Sequence, residues 1–188
     1  MNDSASKEEN GEWGEQIVRN KIRKYFPKDI EHYLLNDLYI EVDGFVYQID
    51  HLFIFSKGAF CIETKMISGK IFGDINDNNW TAISPSGESK LSFANPIKQN
   101  NAHINALLKI FDYSYRFNSL IVFPRTNKPK KCPSYVVNGK ELVDYLLNCS
   151  IDDSLTHDDM LRIKDTILEI QSNKKELKEK HKKQIKGK

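Results

Sequence analysis

A chain of 188 residues with 39% hydrophobic content, ten Phe and eight Tyr is long enough for one main domain plus a tail, with apolar bulk for a true core. A domain of this size buries roughly 70% of the surface its unfolded chain would expose. The formal charge of +2 excludes a global polycation, so contact with nucleic acid has to come from local basic patches.

Residues 1–10 are expected to form a flexible leader. From Gly11 to Phe26, the apolar residues Trp13, Ile17, Val18, Ile22, Tyr25 and Phe26 recur at helical spacing and predict an amphipathic helix stopped by Pro27. Gly11 and Gly14 near its start each weaken it by about 1 kcal/mol relative to Ala, which implies a frayed first turn or a need for close backbone approach. A strand follows from His32 to Leu35 and on through Leu38–Val42, and Asp43-Gly44 signals a two-residue hairpin. Phe45–Phe55, a turn at Ser56-Lys57-Gly58, and Ala59–Met66 complete an antiparallel meander. Residues 67–80 carry turn signals and predict a short hairpin, and Ser84–Gly87 a surface loop.

Asn95 as N-cap and Pro96 at the first helical position open a second helix, with Ile97, Ile104, Leu107, Leu108 and Phe111 on its apolar face. Ser119–Phe123 reads as a short buried strand, Arg125–Pro133 as a basic loop, Tyr135–Val137 as a further strand and Lys140–Leu147 as a short helix. Thr156 and Asp159 resemble a capping box ahead of a helix carrying Met160, Leu161, Ile163, Ile167, Leu168 and Ile170. Beyond Asn173 the tail holds eight lysines against two glutamates. This order gives an α+β (α/β sandwich) class with a mixed sheet, not a doubly wound nucleotide fold, and no glycine-rich phosphate loop is present.

Cys61, Cys132 and Cys149 are odd in number, far apart and without a CxxC pair, which argues against a zinc site and a disulfide framework. Met1–Asn10 lacks the apolar run of a signal peptide, and no stretch approaches the roughly 18 apolar residues of a membrane span. A cytoplasmic protein without membrane association is expected.

The chemistry concentrates between Gln48 and Lys65. Strand alternation puts Glu63 and Lys65 on one face and Ile62 and Thr64 on the other. If Ser56-Lys57 is a two-residue turn, Phe55 pairs with Gly58 and Asp50 falls opposite Glu63, where β-carbons are roughly 4.5–5.5 Å apart. A turn one residue longer opposes Asp50 to Thr64 instead, unless a bulge at Gly58 restores the register. Two carboxylates that close resist sharing a buried site unless a cation lies between them. Magnesium suits such a pair, because it takes one or two carboxylates and completes its shell with water and phosphate oxygens. Lys65 on the same face is a compact charge for an attacking water or a phosphate.

Asp50 followed by Glu63-Thr64-Lys65 across a hairpin resembles the D…ExK signature of the PD-(D/E)xK nuclease superfamily. Within it, the chain is similar to the nuclease-related domain (NERD) family. Gly14-Glu15, Gln48-Ile49-Asp50-His51, Ile62-Glu63-Thr64-Lys65, Ser68-Gly69, Trp80 and Asn95-Pro96-x-x-Gln99 follow the family's order, from about Gly11 to Pro124. The resemblance implies a restriction-endonuclease-like core, a mixed β-sheet with an antiparallel meander flanked by helices. It implies residues 11–124 as that core, and the remaining chain reads as a strand and helical extension packing on it (125–172) and a Lys-rich tail (173–188). It also implies Mg2+ or Mn2+ ligation by Asp50, Glu63 and a backbone carbonyl near Thr64, with Lys65 as catalytic lysine. Glu15 would support the metal or its waters, and Gln99 would approach from the later helix. His103, one turn beyond Gln99, stands where related nucleases often have a tyrosine.

The activity this implies is hydrolysis of DNA phosphodiester bonds by a magnesium-activated water, with nucleic acid as partner. The alternative is a nucleic-acid-binding or protein-interaction module that keeps the fold with little or no turnover. Away from the Asp50 face, His51 is expected in the core or in a local hydrogen bond, while Gln48 shares that face and is a candidate to line the site. Trp80 and Tyr113 are candidates to stack a base. The lysine tail and the Arg125, Lys128, Lys130, Lys131 loop each read either as solvated surface or as phosphate-attracting patches.

Overall fold

A computed structural model describes residues 3–126, 128–151 and 154–187, with side chains from residue 11 onward. In chain order the elements are α1 (Asp3–Tyr25), β1 (His32–Val42), β2 (Phe45–Phe55), β3 (Gly58–Thr64), β4 (Lys70–Phe72), β5 (Asn79–Ile83) and β6 (Lys90–Ala94). Then follow α2 (Pro96–Ile110), β7 (Phe117–Phe123), β8 (Val136–Asn138), α3 (Leu142–Asn148), α4 (His157–Ile170), a 3-10 turn (Gln171–Asn173) and α5 (Lys174–Lys186). A five-stranded mixed sheet has the order β1-β2-β3-β7-β8, and a separate three-stranded antiparallel sheet has the order β4-β5-β6. This is the α+β, nuclease-like arrangement expected from the sequence. The chain divides into two compact units, one of Met1–Pro27, Glu63–Asn100 and Leu120–Ser150, the other of Lys28–Ile62, Asn101–Ser119 and Ile151–Lys188.

In the second unit, both hairpin turns follow from local chemistry. Asp43 (φ 53°) and Gly44 (φ 78°) carry the two positive φ angles of a type I′ turn, and Val42 pairs with Phe45 across it. Phe55 pairs with Gly58, so Ser56-Lys57 is the two-residue turn and the longer-turn alternative is not adopted. Leu107 and Phe111 of the α2 end, together with Met160, Ile163 and Ile167 of α4, close over Leu38, Ile40, Ile49, Leu52 and Ile54 of the sheet. Each such fully buried side chain contributes about 1.5–3 kcal/mol. The capping box that opens α4 is complete: Asp159 N donates to Thr156 Oγ1, and Thr156 N donates to Asp159 Oδ2.

The strand pair does not alternate uniformly. Leu35 and Leu38 both pack into this core, as do Ile49 and Leu52, although residues three apart on a regular strand face opposite sides. The change of phase falls at Asp37, which sits at φ 50° opposite Asp50, the one level without a ladder pair, while the register on either side, Asn36↔His51 and Leu38↔Ile49, is the same. Aspartate tolerates that left-handed conformation better than a branched apolar residue does. Asp50 lies on β2 at the same level.

The lysine-rich tail is a docked helix. Leu177 buries against Tyr39 and Val46, Gln171 exchanges hydrogen bonds with Tyr39 N and O, and Gln184 accepts from Val46 N and donates to Gly44 O. These amides supply bonds that a neighbouring strand would otherwise make, which covers exposed strand edges. Lys174 pairs with Asp37 at 2.9 Å and Lys180 with Glu41 at 3.0 Å.

The first unit contains α1, the β4-β5-β6 sheet, β8 and α3. Val18, Ile22 and Phe26 are the buried stripe of α1, whereas Trp13 and Tyr25 are exposed and lie under Arg125 and Lys24. The helix begins at Asp3, before the Gly11 start expected from apolar spacing, so helix replaces most of the expected leader. β4 and β5 pair antiparallel as the short hairpin expected from residues 67–80, and a third strand joins them. The third, β6, has few buried positions, and this leaves its alternation weak in the sequence.

Burial pushes the Asp37 carboxyl up, but the hydrogen bond and charge of Lys174 outweigh it and hold the group below the usual aspartate range. Its folded value therefore lies under the unfolded one. The stabilisation is present above about pH 4 and is lost as pH falls through the folded value. We expect Asp37→Asn to cost about 0.5–1 kcal/mol at pH 7, and the difference in Tm from wild type to shrink between pH 5 and pH 3, approximately, in thermal unfolding.

Candidate active site

β3 ends at Thr64, and the next residue leaves the strand with its backbone still fixed, Lys65 N donating to Val122 O at 2.9 Å. Glu63, on this last stretch, is 1% exposed. Lys65 Nζ donates to Glu63 Oε1 at 2.5 Å and to Gln99 Oε1 at 3.0 Å, while its side chain keeps 22% exposure. Alternation along β3 places Glu63 and Lys65 on one side, and the contact between their head-groups agrees. A buried carboxylate is costly without a compensating charge and hydrogen bonds, and Lys65 supplies both. Gln99 comes from the first turn and a half of α2 and braces the ammonium laterally.

Gln99 is held by how α2 begins. Buried Asn95 caps the helix with Oδ1, which accepts from Ile97 N at 2.9 Å, as its sequence position predicts. Its Nδ2 donates to the carbonyls of Asp74, Ile75 and Asp77, tying the β4–β5 connection to the helix start. Sequence reasoning identifies the cap but not the clamp, since three consecutive-turn carbonyls carry no side-chain signal.

Gly14 lies midway along α1. A Cβ there would stand 2.8 Å from Met66 Cβ and 3.3 Å from Thr64 Cγ2, so the helix lies directly against the end of β3. Close backbone approach, rather than a frayed first turn, is therefore the reason for Gly14; Gly11 has open space around it. Glu15 follows Gly14 on the helix and is half-buried. A cavity of about 650 Å³ opens beside this junction, lined by Lys65, Met66, Ser68, Ser84, Leu91 and Phe93 among others.

In the second unit, Asp50 is half-buried on β2, one residue before His51, whose partner Ile62 closes the last rung of the β2–β3 ladder. His51 is fully buried with Nδ1 2.7 Å from Asn36 Oδ1, the local hydrogen bond expected of it. Gln48 donates to Asp37 Oδ1 at 3.2 Å, on the strand facing Asp50. His103 is buried and packs edge-on to Tyr47, 6.3 Å between ring centroids. Among the described residues no group of three or more His, Cys, Asp or Glu side chains is placed to hold a metal ion.

Trp80 is not a base-stacking residue. It is 1% exposed, donates from Nε1 to Asp74 O at 2.9 Å and stacks on Phe123 at 6.3 Å, which makes it core of the first unit. Tyr113 is well exposed, at φ 57°.

The chain matches the nuclease-related domain over residues 10–124, which takes in Glu15, Asp50, Glu63, Lys65 and Gln99. It belongs to the nuclease-related domain family. The family stands within the PD-(D/E)xK superfamily, and membership gives this nuclease-related domain protein a nuclease-related function. It is also similar to an uncharacterized protein of Bacillus anthracis, 31% identical over 188 residues that cover 95% of this chain and 84% of that one. No solved structure matches it significantly. No helix among the described residues is long and apolar enough to cross a membrane.

Two glycines 3 residues apart should respond with opposite signs to alanine. Gly14→Ala is expected to destabilise by about 1–3 kcal/mol, because Met66 Cβ must move. Gly11→Ala, with nothing within 4 Å, should stabilise by up to about 1 kcal/mol. Urea unfolding of the two variants measures both. Asn95→Ala, which removes a cap and the loop clamp together, should cost about 2 kcal/mol in the same assay.

Proposed function

We propose that this nuclease-related domain protein hydrolyses phosphodiester bonds of DNA, using Asp50, Glu63 and Lys65 with a divalent cation, Mg2+ or Mn2+. The observation that carries the reading is the Lys65 ammonium held between Glu63 and Gln99 on the wall of a cavity. The register supports Asp50 as the second carboxylate. Phe55 pairs with Gly58 across Ser56-Lys57, which is the turn on which the sequence count to Asp50 rests.

The donors fit the ion. Asp50, Glu63 and the Thr64 carbonyl are hard oxygen ligands, and magnesium ordinarily takes one or two carboxylates with water and substrate oxygens beside them. When bound, such a cation supplies Lewis-acid stabilisation of the phosphate and lowers the pKa of an attacking water. Glu63 fixes the position of the Lys65 ammonium, whose charge meets the negative charge that grows on the phosphate oxygens. Gln99 is a positioning residue that keeps Nζ from swinging into solvent. Glu15, beside the Gly14 contact, is assigned to the support of cation-associated waters.

The test is incubation of the purified protein with plasmid and linear DNA in Mg2+ or Mn2+, with EDTA controls. Wild type should cleave, EDTA should abolish cleavage, and Lys65→Ala should lower the rate by about 100-fold or more. Absence of cleavage with either metal, or equal cleavage by Lys65→Ala, overturns the reading. Salt-sensitive DNA binding without turnover would then make the chain a binding module with the nuclease fold.

A further inference from the structure

A second cavity of about 1270 Å³ lies in the first unit, walled by β4, the β5–β6 turn and residues that follow β7. Lys70, Arg125, Lys128, Lys130 and Lys131 line it, and the described lining residues include no carboxylate. The whole chain carries 28 basic against 26 acidic residues, so this groove is a marked local departure from balance. Its cations differ in how they are held. Arg125 lies 4.7 Å over the Trp13 ring and Lys128 is 3.0 Å from Glu141, which fixes one wall, whereas Lys130 and Lys131 are exposed.

Phe72 adds an aromatic surface. It is 42% exposed on the groove wall, and Lys70 Nζ stands 5.0 Å from its ring centroid. An exposed phenylalanine beside a lysine ammonium has no use in the core of the β4-β5-β6 sheet, whose apolar side is filled by Ile71, Trp80 and Ala82. The groove adjoins the Lys65 cavity. Ser84 lines both, and Ser68 of the first is followed directly by Gly69 of the second.

We infer that this groove binds a single strand of nucleic acid, its phosphates along Lys70, Arg125, Lys130 and Lys131 and a base on Phe72, and leads that strand toward Lys65. A basic groove with an exposed aromatic is how single strands are held without sequence preference, since every base has a face to stack. A duplex would keep its bases stacked on each other and gain nothing from Phe72. The assignment of the strand as substrate rests on the nuclease reading above; the binding itself does not.

Binding is therefore measured without catalysis, by fluorescence anisotropy of a labelled single-stranded 20-mer (roughly the span of a few such grooves) and its duplex, in EDTA, on the Lys65→Ala background. The single strand should bind more tightly than the duplex, and affinity should fall as salt rises. Lys130→Ala with Lys131→Ala should weaken it about tenfold and reduce the log–log salt slope by about 1.4, two phosphates' worth. Phe72→Ala should weaken single-strand binding about tenfold and leave duplex binding unchanged. Removing two lysines from α5, Lys182→Ala with Lys183→Ala, should change neither. Undiminished binding by either groove variant, equal loss on the α5 variant, or preference for the duplex overturns the inference. If binding behaves as stated while wild type fails to cleave, the groove stands and the nuclease reading falls.

Discussion

A carboxylate almost wholly removed from water is the constraint around which one half of this molecule is arranged. An ionised group so buried costs several kcal/mol unless a charge and hydrogen bonds accompany it, and Glu63 has both through Lys65. The pair needs its neighbours. Val122 holds the Lys65 backbone, Gln99 holds its head-group, and Gly14 lets α1 lie against Thr64 and Met66. Asn95 then holds Gln99 by starting α2 where it does. Each contact is ordinary in strength. Together they hold one ammonium at the edge of a cavity.

The second unit handles a different problem, which is how to break strand alternation without losing the sheet. Asp37 in a left-handed conformation interrupts the alternation while the register continues, and Leu35 and Leu38 serve the same core. Asp50 sits on the partner strand at that level. The same stretch is then secured from outside, where Lys174 pairs with Asp37 and the glutamines of the last helices bond to strand edges. A tail that composition marks as a basic arm is thereby a structural cover, with its lysines largely pointing to water or to Glu and Asp partners.

The basic residues that form a groove lie elsewhere, and their assembly needed three dimensions. Lys70 and Lys130 are far apart in the chain and share a cavity only because β4 and the stretch after β7 meet in one unit. Trp80 shows the converse. An isolated tryptophan in a polar stretch invites a ligand-facing role, yet its indole fills the core against Phe123 and its N–H is satisfied by Asp74.

The primary sequence by itself determined whatever depends on local chemistry and short range. The Asp43-Gly44 and Ser56-Lys57 turns, the Asn95 and Thr156 caps and the common side of Glu63 and Lys65 were all legible, because two-residue turns and strand periodicity act over a few bonds. The order of motifs likewise carried the family. The tertiary structure alone decided the phase change at Asp37, the docking of α5 and the place of Trp80. In each of those, the deciding energy is burial or pairing against residues distant in the chain, and no local pattern encodes which distant partner will be there.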